Sequence, residues 1–244
     1  MKPKKADPFV VAEKIRFKKH PKSIGLFAAG SCFRGEGTAY SDIDIVVLYN
    51  KIPDAYRASF ICDEWPVETF VHDMESLKVF FKSDIDRGYP SLVHMVATGH
   101  IFGDKEKLSA IQKSAISLIK KGPIRVSKKQ IEDFRYKLTD LLDDIREPRN
   151  FDELVASSIL IYQTFIDIYL TINNVWRGIG KHTIRKFKDY KPELANEFSR
   201  SFNKIFTHKN QKDFITIIER EMQPWGGPCF DGYKRGGTKR KNQK

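Results

Sequence analysis

Two acids separated by one apolar residue, Asp42-Ile43-Asp44, open the apolar run Ile43 to Leu48. In an extended strand, side chains two residues apart face the same side, roughly 7 Å from one another. Asp42 and Asp44 therefore present two carboxylates to one face, while Ile43, Ile45 and Val47 supply the other. Ionised acids that close repel each other unless a cation lies between them. Hard oxygen donors suit Mg²⁺, which takes one or two carboxylates together with substrate phosphates. The pair is thus expected to be a metal platform. Ahead of it stands Gly30-Ser31, followed by a spacer of ten residues. Glycine lets the backbone approach a ligand closely. Ser31 offers a hydroxyl and an N–H at the expected start of a short helix, where donors face anions. A triphosphate held at this turn would lie beside metal held on the acids.

Gly-Ser, a ten-residue spacer and Asp-Ile-Asp within Ile-Val-Val-Leu resembles the signature of the DNA polymerase β-like nucleotidyltransferase superfamily. The resemblance implies two Mg²⁺ ions on three carboxylates. It also implies transfer of a nucleoside monophosphate from ATP or another NTP to a hydroxyl, with release of pyrophosphate. The family's third acid lies on a later strand of the same sheet. Here the segment Trp65 to Asp73 offers Glu68, as metal ligand, as general base for the acceptor hydroxyl, or as both. The stretch SCFRGEGTAYSDIDIVVL is similar to the corresponding segment of antibiotic (aminoglycoside and lincosamide) nucleotidyltransferases, with Arg34, Gly35 and Ser41 as matching positions. Ala97 to Asp104 looks like the connection that ends the catalytic half in that group. Asn174 to His182 is a glycine-rich basic turn. It resembles the start of a helix in the C-terminal domain of relatives, where a lysine reaches the triphosphate. Lys181 is the candidate for that role, with Arg177 and Arg185 behind it. The resemblance thus implies nucleotide contacts at Gly30, Ser31, Arg34, Ser41 and Lys181, and catalytic, metal-holding carboxylates at Asp42, Asp44 and Glu68. The 174–182 turn lacks the spacing of a Walker A loop.

The elements that must carry these residues are legible from caps and periodicity. Asp7-Pro8 reads as an N-cap and first helical position, opening a helix to Lys19 that His20-Pro21 ends. Strands are expected at Ile24–Ala28 and Asp42–Tyr49. Two more follow at Tyr56–Cys62 and Val67–His72, joined by a turn at Asp63-Glu64-Trp65-Pro66. From Glu75 onward the spacing is helical: 75–87, 91–98, 105–121, 127–146, 152–172, 181–190, 192–207 and 211–222. The fold class is therefore α+β. A nucleotidyltransferase α/β domain with a short mixed sheet at 1–122 precedes an all-helical substrate-binding domain at 123–230, and a basic, disordered tail is expected at 231–244.

Composition bounds the function. The 244 residues suffice for one large or two modest domains, and the hydrophobic share of 41% with 30% charged residues fits a soluble globular protein. Lys2, Lys4 and Lys5 precede no long apolar stretch, so no signal peptide is expected. Leu154 to Ile172 is interrupted by Gln163 and Asp167 and reads as a buried helix rather than a membrane span. The three cysteines form no CxxC pair and no disulfide framework, which points to a reducing cytoplasm. Cys32 reads as packing rather than as a nucleophile, His72 as structural, and the six histidines lack zinc spacing. The net charge of +12 points to anionic partners, nucleotide phosphates or nucleic acid alike. The favoured activity is transfer of AMP from ATP to a small-molecule hydroxyl. An RNA-modifying template-independent transferase, a protein-nucleotidylating enzyme and a regulatory, antitoxin-like relative are the alternatives. The oligomeric state is not encoded in any motif.

Overall fold

The computed structural model describes residues 5–236. The chain divides into two compact units, Met1–Pro123 and Ile124–Lys244. The first begins with α1 (Pro8–Lys19), whose N-cap Asp7 accepts a hydrogen bond from the Phe9 N–H with Pro8 at the first helical position. β1 (Gly25–Ala29), a single 3₁₀ turn at Ser31–Arg34, β2 (Ile43–Leu48), β3 (Tyr56–Cys62) and β4 (Trp65–His72) follow. Then come α2 (Met74–Arg87), α3 (Ser91–Thr98), β5 (His100–Gly103) and α4 (Lys105–Lys121). Among the described residues this makes one five-stranded mixed sheet of order β3-β4-β2-β1-β5. β2 and β4 are parallel, and every other neighbouring pair is antiparallel. With the helices that follow, the architecture is α+β.

The alternation of β2 assigns both faces of the sheet. Ile43, Ile45 and Val47 pack with Leu26, Ala28 and the Val11, Ala12 and Ile15 stripe of α1. Val46 and Leu48 join Phe27, Leu77, Phe81, Val93 and Leu108 beneath α2, α3 and α4. Asp84 fixes the α2–α3 corner. Its buried carboxylate accepts from the Leu92 and Val93 N–H groups, at 2.6 and 3.1 Å, and pairs with Arg87.

Two local readings of the sequence change. The 99–104 segment, expected as a connection, contains the edge strand β5, antiparallel to β1. Gly25 faces Gly103 in that register, and a Cβ on Gly25 would stand 2.3 Å from the Phe102 carbonyl oxygen. The strands meet this closely only because both residues lack side chains. The hairpin turn consists of Asp63 and Glu64 alone, both with positive φ (46° and 65°), as a two-residue type I′ turn requires. Trp65 and Pro66 already belong to β4. Proline is tolerated there because the ladder to β2 starts only at Val67.

The second unit contains α5 (Lys128–Arg146), α6 (Phe151–Ile172), α7 (Lys181–Tyr190), α8 (Pro192–His208) and α9 (Lys212–Met222). Its core is aromatic: Phe165, Phe187, Phe198 and Phe214 are fully buried, with Phe198 5.0 Å or less from Phe165 and Phe214 between ring centroids. Truncating one such ring to alanine typically costs about 3–5 kcal/mol. α6 is long and apolar enough to cross a membrane by length and composition. Ile161, Phe165, Ile166, Ile168 and Leu170 instead sit in this core. Trp225-Gly226-Gly227-Pro228 ties down the chain end: the Arg135 guanidinium donates to the carbonyls of Gly226, Gly227 and Pro228. Tyr233 stacks on Tyr136 at 4.0 Å and donates to Asp133. Of the expected tail, residues 237–244 lie outside the described residues.

Candidate active site

The parallel register of β2 and β4 sets Asp44 directly beside Glu68. In-register neighbours point the same way, so the two carboxylates share a face. Asp42, immediately before β2, adds a third. Carboxylate oxygens of Asp42, Asp44 and Glu68 all lie within 4.8 Å of one another, with Asp42 exposed and the other two half-buried. The hairpin makes this arrangement. β3 runs to the sheet edge and turns at Asp63-Glu64, and β4 returns between β3 and β2. Residues separated by more than twenty positions thereby become neighbours. All three donors are oxygens, the set that a hard cation such as Mg²⁺ prefers.

The Gly30 turn is built against the first acid. Gly30 has φ 115°, and a Cβ there would meet the Asp42 carbonyl oxygen at 3.3 Å. The helix it caps is one 3₁₀ turn, which offers N–H donors but little macrodipole. The Ser31 hydroxyl bonds that of Ser41 at 3.0 Å, and Ser41 accepts from the Thr38 N–H at 2.8 Å. Ser41 therefore staples the 35–41 loop to the turn. Arg34 pairs with Glu36 and donates to the Gly30 carbonyl. The Lys5 ammonium donates to the Ser41 carbonyl at 2.9 Å and lies over the Trp65 ring.

Lys181 is exposed at the first position of α7, in the second unit, after Gly180 with φ 57°. Its loop is braced by Thr183, which donates to the Gly178 carbonyl and accepts from Gln163. The Cys32 thiol donates to the Asp42 carbonyl, and burial pushes it up, with further contributions from Asp44 and Asp42. A thiol held in that state is a poor nucleophile. His72 pairs with Leu48, at the far end of the ladder from Asp44. It is buried against Phe80 and within 3.3 Å of the Ser76 hydroxyl, and burial lowers its pKa.

The spacing of the acids does not reveal Arg57. It lies on β3 opposite Phe70, two residues along from Glu68, and its guanidinium forms an ion pair with the Glu68 carboxylate. The face of the Phe70 ring is 5.2 Å from the same guanidinium. The one signal in the sequence is hairpin arithmetic: with Asp63-Glu64 as a two-residue turn, Arg57 falls diagonally across from Glu68.

No curated protein matches the chain. A crystal structure of a nucleotidyltransferase-like protein from Exiguobacterium sibiricum is similar over 88% of this chain and 73% of its own, at 11% identity and a TM-score of 0.44. The family model of the nucleotidyltransferase domain matches residues 11–160. That span is more than half of the chain, from α1 through the glycine turn, the three carboxylates and the whole sheet into α6. A model of that extent, laid over strands that gather three acids beside a glycine-serine turn, leaves one conclusion: the chain belongs to the nucleotidyltransferase domain family and is a nucleotidyltransferase.

Proposed function

We propose that this enzyme moves a nucleoside monophosphate, AMP from ATP in the expected instance, onto a hydroxyl of a small-molecule acceptor in a Mg²⁺-dependent reaction. The observation that carries the reading is the cluster of three carboxylates on adjoining strands, Asp42, Asp44 and Glu68, with oxygens within 4.8 Å. These residues would hold two Mg²⁺ ions. Bound there, the metal would neutralise phosphate charge and activate the acceptor hydroxyl. The new bond joins the acceptor oxygen to the α-phosphorus, and the bond from the α-phosphorus to the bridging oxygen breaks to release pyrophosphate. Glu68 is assigned the acceptor's proton. Gly30 and the N–H groups of the 31–34 turn line the triphosphate. Ser41 holds that turn in shape, and Arg34 supplies a phosphate-binding cation. The small-molecule acceptor rests on the likeness of residues 31–48 to antibiotic nucleotidyltransferases. A cytoplasmic setting is supported by the free thiols of Cys32, Cys62 and Cys229.

Two measurements test the reading. The Asp42→Asn, Asp44→Asn variant should retain its fold while Mg²⁺-dependent ATP affinity, read by calorimetry, drops sharply; unchanged affinity removes the metal platform. Incubation with α-labelled NTPs, Mg²⁺ and a panel of aminoglycosides, lincosamides, RNAs and proteins should label a small molecule. Label confined to RNA or protein would move the acceptor to that class.

A further inference from the structure

The contact between Arg57 and Glu68 places a permanent cation on one of the three carboxylates assigned to metal. Its contribution to stability is small. The Arg57 side chain is 58% exposed on the edge strand, and an ion pair so open to water is screened and adds little. Its position is nonetheless specific. The β3–β4 register sets it diagonally across from Glu68, and the Phe70 ring backs the guanidinium. Three carboxylates carry three negative charges, and one guanidinium leaves a net of two. That balances one divalent ion. A second would have to enter a site already neutral, unless the phosphates of a nucleotide bring further negative charge.

We propose that Arg57 is a built-in counter-cation that limits divalent-ion binding at Asp42, Asp44 and Glu68 until a nucleoside triphosphate is present. Arg57 is in this sense a positioning residue, acting through Glu68. The inference rests on the metal reading above, and it concerns the order in which ions and nucleotide load.

The test is titration of the full chain with Mn²⁺ without nucleotide, following free Mn²⁺ by electron paramagnetic resonance. Wild type, Arg57→Gln, Arg57→Lys and Asp42→Asn, Asp44→Asn are compared, with thermal unfolding as a check on folding. Removing one positive charge in contact with a ligand carboxylate should tighten Mn²⁺ binding by about tenfold in Arg57→Gln. Arg57→Lys keeps the charge and should bind like wild type. Adding a non-hydrolysable ATP analogue should shrink the difference between wild type and Arg57→Gln. If Arg57→Gln binds Mn²⁺ no more tightly than wild type while the double acid variant has lost binding, the counter-cation role falls and the metal site stands. If the double acid variant binds as wild type does, the metal reading falls and takes the proposal with it.

Discussion

Glu68 is where the roles of single residues can be separated. It touches Arg57 on one side and lies in register with Asp44 on the other. A proton acceptor removed from a two-metal site slows the chemical step by roughly 10²–10⁴-fold and leaves nucleotide binding largely intact. A lost ligand instead weakens the ion that activates the acceptor, and added Mg²⁺ or Mn²⁺ recovers part of the rate. Glu68→Gln keeps shape while deleting charge. We expect it to bind Mg-ATP nearly as wild type in calorimetry and to lose transfer to any acceptor that wild type labels. Recovery with metal would assign Glu68 as a ligand, and a defect indifferent to metal would assign it as the base. Full turnover would make it an ordinary surface acid. Arg57 had no comparable signal. Nothing in its own sequence neighbourhood marks it, because its partner is set by a register that only the two-residue turn determines.

At the scale of elements, the residues that cap and punctuate the chain carried most of the reading. Asp7-Pro8 starts a helix with a side chain bonded to a backbone N–H, and such local chemistry is visible in one dimension. β5 was not visible. Four residues between two helices, half of them exposed, show no usable alternation, and the pairing depends on Gly25 meeting Gly103 across some eighty positions. The same contrast explains the site. Two acids one residue apart are a local pattern, whereas the approach of Glu68 follows from a parallel ladder that periodicity does not encode. The glycine pair yields a prediction for the element itself. Gly25→Ala would put a methyl group 2.3 Å from the Phe102 carbonyl and 2.6 Å from Leu108 Cδ1. Overpacking of that kind costs about 1–3 kcal/mol. Urea unfolding should show the loss, and hydrogen exchange should show the amides of 100–103 opening first. An unchanged midpoint with protected β5 amides would show that the strands need no such close approach.

The stability of the whole molecule should depend on pH through two histidines of the first unit. His20 and His72 are 5% and 3% exposed, while His94, His100, His182 and His208 are all exposed. Burial is the main force lowering both pKa values below 6.5. Lys19 lowers His20 further, and Asp73 partly opposes the shift of His72. His20 lies 3.0 Å from the Tyr49 hydroxyl and His72 3.3 Å from that of Ser76, so the neutral rings are held in polar contact. In the unfolded chain both rings protonate near the ordinary value of about 6.5. Below that pH the unfolded state therefore binds more protons than the folded one, and stability rises with pH. The contribution of the pair is fully present above the unfolded value and is lost as pH falls through the depressed folded values. Buried Asp84 works the other way. Burial raises its pKa, so acidification favours its folded form and offsets part of the loss. The net charge of +12, counted with neutral histidines, adds to the cost of each further proton. The thermal midpoint, followed by circular dichroism, should fall from pH 7.5 to pH 5.5. The His20→Gln, His72→Gln variant should be less stable at pH 7.5 but show a shallower fall between the two. If the double variant keeps the full wild-type slope, the two histidines are not its source, and the acid sensitivity of this protein lies in its carboxylates.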